Sequence, residues 1–350
     1  MQWWQILLFP FSILLHFITS WRNYFYDKQL WKSYQAPIPT INVGNLTVGG
    51  TGKSPHIEYL IHLLKTKYQI TTLSRGYGRK TKGFRWASAS ENAYSLGDEP
   101  AQFYYQFSAQ IAVAVGEKRV PAVQKIIQER PQTEVILLDD AFQHRAIKAG
   151  LNILITDYKR LFYKDYLLPS GRLREARRGA KRAQIVIVSK CPTKMQEAEK
   201  NTISTQIQKY TSPQTPIFFT TIHYASPRKV LPNNSLINVE RFTHEIVLFS
   251  AIAQPAIFEQ YMAEKYALLH HFVFPDHYYY TEADLQKIIN KADGKTIFCT
   301  EKDYVKLQSP DLQAVLKNAN LYYIPIKVAF LGEEDNFQDM VYQYINNAKQ

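Results

Sequence analysis

VGNLTVGGTGKS, Val43 to Ser54, has the form of a phosphate-binding loop with one letter out of place. The pattern G-x-x-x-x-G-K-[ST] asks for glycine five positions before Gly52, and this chain carries Thr47 there. The context still argues for the loop. TINVGN before it reads as a short strand, and Ser54 to Leu64 after it reads as a helix. Such a turn binds phosphate because glycines let backbone N–H groups point inward, a helix N-terminus adds its dipole, and lysine adds a point charge. A chance glycine-rich turn would not need to end in Lys-Ser at the start of a helix. If the turn begins at Gly44 or Gly49, threonine at 47 is tolerable. The candidate nucleotide-binding residues are Asn45, Thr47, Gly49, Gly50, Thr51, Gly52, Lys53 and Ser54.

Outward from this loop, strand-like and helix-like runs alternate. QITTLS, IAVAVG, EVILLDD, LNILITD and AQIVIVSK are β-branched, apolar runs of the kind that form strands covered on both faces. Helical stretches open at Gly97-Asp98-Glu99-Pro100 and span Val120 to Gln128. The pattern predicts an α/β fold with a mostly parallel sheet. Prolines and polar residues cluster from Thr211 to Asn238, and beyond them EIVLFSAIA, ALLHHFVF, KTIFCT and LYYIPI supply further strands before a helix over Phe337 to Ala348. The expected organisation is an N-terminal helix over 1–28, a nucleotide-binding core over 29–217 and a smaller α/β domain over 218–350, with the chain near Phe218 to Tyr224 as connector.

Composition narrows the class. With 350 residues, 46% hydrophobic and 21% charged, the chain can bury a sizeable core and is not disordered. A net charge of +12 suits a polyanionic partner, whether nucleic acid, an anionic membrane or a phosphorylated substrate. Charge alone does not choose among them. Only Cys191 and Cys299 are present, neither in a CxxC pair, which argues against a disulfide framework or a cysteine-built zinc site.

WWQILLFPFSILLHFITSW, Trp3 to Trp21, is too poor in basic residues and cleavage signals for a secretory leader. Its length just suffices for a membrane span, yet Gln2, Gln5, Ser12, His16, Thr19, Ser20 and Asn23 fall on one stripe at helical pitch. A greasy helix with a narrow polar stripe can lie in a membrane interface or pack that stripe on its own domain. Trp3, Trp4 and Trp21 suit headgroup depth, and Arg22, Lys28 and Lys32 put the downstream chain on the cytoplasmic side. The bland alternative is a buried core helix.

Several further motifs carry chemistry. EVILLDDAFQHR ends an apolar strand in Asp139 and Asp140, where a parallel-sheet nucleotide enzyme holds Mg2+. Two adjacent carboxylates need a cation nearby, and a metal would provide it. In GDEP, Asp98 or Glu99 could be no more than an N-terminal helix cap. In FPDHY, His277 could accept a proton from a hydroxyl or orient a carboxylate that does; a structural histidine is the bland reading. PSGRLREARRGAKR offers arginine forks for phosphate, or simply a solvated face. TEKDYVKL has charges at a strand end to which physics alone assigns no role.

Taken together and in this order, VGNLTVGGTGKSP, LSRGYGRK, GDEP, LLDDAFQH, GRLRE, FPDHYYY and TEKDYVKL resemble the tetraacyldisaccharide 4'-kinase family of lipid A biosynthesis. The resemblance runs from the N-terminal helix to about Leu307. It implies a P-loop NTPase-like core, a smaller α/β domain joined by a β-ribbon, and an N-terminal membrane-associating helix. It further implies ATP and Mg2+ as cofactors and phosphorylation of the 4'-hydroxyl of a tetraacylated glucosamine disaccharide 1-phosphate. The enzyme would sit, peripheral or monotopic, on the cytoplasmic face of the bacterial inner membrane, with no nucleic acid and no obligate protein partner. Carried over residue by residue, the resemblance puts Lys53 on the β/γ-phosphates, and Ser54, Asp139, Asp140 and Glu175 near the metal, Glu175 assisting metal or arginine placement. Asp98 accepts the hydroxyl proton with His277 as its partner, and Arg174, or alternatively Arg172, stabilises the transferring phosphoryl group. Three places depart from the family: Ala141 stands where glycine is usual, SAIAQP replaces a glycine-rich strand exit, and REAR replaces REP. The alternative function is a membrane-associated P-loop NTPase switch or chaperone acting on a protein, which would need neither an acid–histidine pair nor a lipid-facing helix. Nucleic-acid binding rests on charge alone, without the interleaved aromatics of single-strand binders.

Overall fold

The computed structural model describes residues 3–230 and 242–349, so the end of the polar stretch before Asn238 and the stripe residue Gln2 lie outside the described residues. Among the described residues the strands in chain order are β1 Thr40–Gly44, β2 Ile70–Ser74, β3 Arg85–Trp86, β4 Ile111–Val115, β5 Val135–Asp139, β6 Leu151–Asp157 and β7 Ile185–Ser189. They continue with β8 Ile217–Tyr224, β9 Arg228–Lys229, β10 Glu245–Ser250, β11 Ala267–Val273, β12 Thr296–Thr300, β13 Leu321–Ile324 and β14 Ile326–Phe330. A nine-stranded sheet has the order β14-β8-β7-β6-β1-β5-β2-β4-β3, parallel except at its two edges, where β3 and β14 run antiparallel to their neighbours. A five-stranded sheet has the order β11-β10-β12-β13-β9.

The apolar runs form strands because both faces of the large sheet are covered. Along β5, Val135 and Leu137 face one core with Ile57, Leu60, Phe103 and Val341, while Ile136 and Leu138 face another with Val123 and Ile126. That period of two is what a doubly covered strand requires. The helix Lys53–Leu64, the helix Asp98–Phe107 and the C-terminal helix Glu334–Ala348 thus share one face.

Sheet membership does not follow the expected division at 217/218. The chain leaves the large sheet through β8, builds the small sheet, and returns through β14, which pairs antiparallel with β8. The final helix then packs on the large sheet through Phe337, Val341 and Ile345. Proline- and polar-rich composition marks where a chain changes direction, and it carries no signal for a strand that comes back a hundred residues later. The two sheets also share a core, in which Leu96, Ala101 and Val115 meet Phe249, Leu285 and Cys299.

The N-terminal helix, Trp3–Asp27, is amphipathic with its polarity inverted. Its polar stripe faces the protein: Ser12 Oγ donates to Leu167 O at 3.0 Å and to Ser170 Oγ at 2.9 Å, and Gln5 Nε2 donates to Ser170 O at 3.0 Å. Ser12, Thr19 and Asn23 are buried, whereas Leu7, Phe11, Leu14, Phe17, Ile18 and Trp21 are exposed. The buried-core alternative for this helix is therefore excluded. Among the described residues no helix is long and apolar enough to cross a membrane.

Candidate active site

The glycine loop leaves the C-terminal end of β1, a central strand flanked by β5 and β6, which is where parallel sheets place ligands. Thr47 fits because it needs no glycine. It pairs with Leu173 in an antiparallel bridge, and the left-handed conformations fall instead at Gly49 (φ +105°) and Gly52 (φ +90°). Loop and GRLRE segment are thus laced together: Val48 N donates to Arg172 O at 2.8 Å and Arg174 N donates to Leu46 O at 2.8 Å. Asn45 is buried and donates through Nδ2 to Thr51 Oγ1 at 2.9 Å. From the end of β7, Ser189 Oγ donates to Thr51 O at 2.5 Å and Lys190 donates to Gly50 O. Sequence reasoning gave neither residue a role. Lys53 and Ser54 begin the helix, as expected.

The β1–β5 register aligns Val43 with Asp139, so the two strand-end acids arrive beside the loop. Lys53 Nζ stands 3.8 Å from Asp140 Oδ2, and Arg174 Nη2 stands 3.0 Å from the same oxygen. Arg174 also donates to Asn45 Oδ1 at 2.6 Å and to Thr47 O at 3.2 Å, which makes it the guanidinium that fixes loop and acid together. Arg172 is exposed, with its guanidinium beside Gly49. Asp140 takes the left-handed conformation (φ +49°) and Ala141 does not, so the alanine in place of glycine is unstrained.

The two acids are pushed apart electrostatically. Burial, then the charges of Glu99 and Asp140, pushes Asp139 up to about 7. Burial also raises Asp140, but Lys53 and Arg174 outweigh it and hold its carboxyl below the usual range. Asp139 Oδ2 accepts from Ser74 Oγ at 3.2 Å, while Oδ1 of Asp139 and Oδ1 of Asp140 are buried without a hydrogen-bond partner. Two orphaned carboxylate oxygens beside a serine hydroxyl fit a hard divalent cation. Among the described residues no three histidine, cysteine or carboxylate side chains cage an ion by themselves. Mg2+ is commonly held by one or two carboxylates plus phosphate oxygens and water.

Glu175 does not belong to this group. Its side chain is inaccessible to solvent, and Oε1 accepts from Arg182 Nη2 at 2.6 Å and Gln143 Nε2 at 3.0 Å while Oε2 accepts from Asn23 Nδ2 at 2.8 Å. Both oxygens are occupied, which corrects the expectation of a metal ligand. Its link to arginine placement is indirect, since Gln143 also accepts from Arg174 Nη1 at 3.3 Å.

Asp98 opens the helix Asp98–Phe107 and is only 4% exposed. His277, in the loop after β11 of the small sheet, comes within 2.8 Å of Asp98 Oδ2 through Nδ1. The two residues lie 179 positions apart, so the contact closes across the two sheets. Burial raises the Asp98 carboxyl, but the His277 hydrogen bond and the Lys306 charge together leave it below the usual carboxylate range. The hydrogen bond to Asp98 raises His277. Two lysines and a glutamate that sequence reasoning passed over complete the group. Ser54 Oγ donates to Glu99 Oε1 at 2.9 Å, Lys302 Nζ stands 3.9 Å from Glu99, and Lys306 Nζ stands 3.7 Å from Asp98. The adjacent acids of GDEP were the available signal for Glu99; both lysines come from TEKDYVKL, whose local pattern says nothing about where the fold carries it.

The family described as LpxK, Tetraacyldisaccharide-1-P 4'-kinase, matches residues 4–346. The tetraacyldisaccharide 4'-kinase of Flavobacterium psychrophilum is 45% identical over 97% of each chain. That of Cytophaga hutchinsonii is 41% identical over 96% of this chain and 95% of its own. Among solved structures, an "apo" form of LpxK from Aquifex aeolicus in complex with ATP superposes with a TM-score of 0.76 at 28% identity, covering 97% of this chain and 99% of that one.

Proposed function

This chain belongs to the tetraacyldisaccharide 4'-kinase family, and we infer that it transfers the γ-phosphate of ATP to the 4'-hydroxyl of a tetraacylated glucosamine disaccharide 1-phosphate, giving lipid IVA and ADP. The observation that carries the assignment of roles is the 2.8 Å contact between Asp98 and His277, next to Glu99, which accepts from Ser54 of the glycine loop at 2.9 Å.

In this reading the backbone N–H groups of Gly49 to Ser54 and the Lys53 ammonium receive the triphosphate. Ser54, Asp139 and Asp140 would hold Mg2+, with Glu99 beside Ser54; when bound, the ion neutralises charge on the phosphate oxygens. Metal binding would require Asp139 to be ionised. Asp98 accepts the proton of the acceptor hydroxyl, and His277 fixes the carboxylate in place. A carboxylate held low is a weak base, but phosphoryl transfer depends mainly on positioning and on stabilising spread charge. Arg174 supplies that stabilisation, already oriented by Asp140, Asn45 and the Thr47 carbonyl.

The N-terminal helix belongs to the same reading. Its exposed apolar face would cost roughly 1.5–3 kcal/mol per large side chain if left in water. Buried in the interfacial layer of an anionic bilayer, that face brings the site to an acylated acceptor, and the net charge of +12 adds attraction. The enzyme is then monotopic on the cytoplasmic face of the inner membrane, with no obligate protein partner.

The test is transfer of label from γ-labelled ATP to the acylated disaccharide 1-phosphate in detergent with purified protein. Labelled lipid is expected. ATP hydrolysis indifferent to the acceptor would instead support a nucleotide switch.

A further inference from the structure

We propose that Lys306 is a positioning residue for Asp98: its ammonium steadies Oδ2 from the small-sheet side and leaves Oδ1 to meet the acceptor hydroxyl. The proposal rests on Asp98 being the proton acceptor.

Lys306 ends the short helix Glu301–Lys306, and its side chain is 1% exposed. Lysine is almost never so buried unless paired. Its nearest acid by sequence, Asp303, has three neutral hydrogen-bond donors besides it. Asp303 Oδ1 accepts from Ala251 N at 3.0 Å and Tyr280 Oη at 2.8 Å, and Oδ2 accepts from Thr300 Oγ1 at 2.5 Å. Lys306 Nζ donates to Ala251 O at 3.3 Å and stands 3.6 Å from Asp303, but it also reaches Asp98 Oδ2 at 3.7 Å. The ammonium thus lies between two buried carboxylates, one on its own helix and one across the two sheets.

Asp98 needs it. One hydrogen bond, from His277, serves a carboxylate that is 4% exposed. Lys306 approaches the same oxygen as His277 from a second element, the short helix rather than the loop after β11. Both cations meet Oδ2, so Oδ1 is the oxygen free to accept a proton. The groups around this carboxylate are His277 and Asp276 from the loop after β11, Tyr279 beyond them, Lys302, Asp303 and Lys306 from the short helix, and Glu99 on its own helix. Among them Lys306 is the buried cation in direct range. Because Lys306 and His277 both come from the small sheet, the carboxylate is set only when the two sheets are packed together.

The experiment is the pH–rate profile of K306M, K306Q and K306R beside the parent enzyme and D98N. With the neighbouring cation removed, the acidic limb of kcat is expected to move up by about one to two pH units in K306M, and to return in K306R. The KM for ATP should stay within about twofold, because this step lies outside nucleotide binding. Thermal shift with ATP establishes that each variant is folded; if K306M is not, K306Q and K306R carry the comparison. A kcat reduced by one factor at every pH, with the limb unmoved, overturns the proposal and leaves Lys306 a structural residue. Normal turnover by D98N would overturn the role of Asp98 itself, so the two failures are distinguishable.

Discussion

Asn23 Nδ2 donates to Glu175 Oε2 at 2.8 Å, so a residue of the N-terminal helix is tied to the segment that carries Arg174. The same carboxylate binds Arg182 and, through Gln143, reaches the guanidinium of Arg174. The N-terminal helix and the glycine-loop site therefore share one buried anchor.

Removing that anchor should cost stability rather than metal affinity. Glu175→Ala leaves Arg182 without its acid and Asn23 without its acceptor. A loss of about 2–4 kcal/mol is expected in denaturant unfolding, somewhat below a fully buried pair because Arg182 is partly exposed. Mg2+ dependence of turnover should change less than threefold, on the order of 0.6 kcal/mol. A tenfold weaker Mg2+ requirement with unchanged stability would return Glu175 to the metal site.

The exposed face of the helix is expected to hold the enzyme on membranes. Replacing Phe11 and Phe17, both exposed, with aspartate should release the protein from anionic vesicles in a flotation assay. The melting temperature should move little, because neither side chain is buried in the fold. Undiminished vesicle binding would assign the anchor to the basic surface.

Asp98→Ala is expected to lower kcat by about 10²–10⁴ while ATP binding persists. For the parent enzyme the sign of the pH effect follows from the carboxyl being held low. Activity is present above that depressed value and is lost as acid protonates Asp98. His277, raised by its hydrogen bond, keeps its charge to higher pH than a free imidazole. His277→Ala should shift the acidic limb upward and reduce turnover less than Asp98→Ala does. Equal activity of the alanine variant and the parent would remove Asp98 from the chemistry.

Asp139 makes the opposite contribution to stability. Its carboxyl titrates near 7 in the fold against the ordinary aspartate value of 3.8, so between those values the native state holds the extra proton. Stability from this group is complete in acid and is lost as pH rises toward 7. Without Mg2+, Asp139→Asn should flatten that slope and stabilise the protein above pH 7 by on the order of 1–2 kcal/mol. Melting curves from pH 5 to 8 with and without Mg2+ measure it; identical slopes in parent and variant would contradict the assignment.

How much of this was legible along the chain depended on range. Val43 to Ser54 announced strand, loop and helix because glycine placement and period-two apolar patterning are local consequences of backbone sterics. The double-sided burial of β5 followed from an unbroken apolar run, and the inverted helix followed from a stripe readable at helical pitch. Lys302, Lys306 and the return of β14 to the large sheet had no such trace. A burial pattern records whether a side chain meets the interior, not which distant partner it meets there. Glu175 illustrates the limit: its position beside Arg174 suggested the metal, and only packing of Asn23 and Arg182 around it used up both oxygens. Sequence determined the elements and the chemistry each could offer. Tertiary structure decided which charges share a site, because electrostatic pairing depends on separation in space across hundreds of residues of chain.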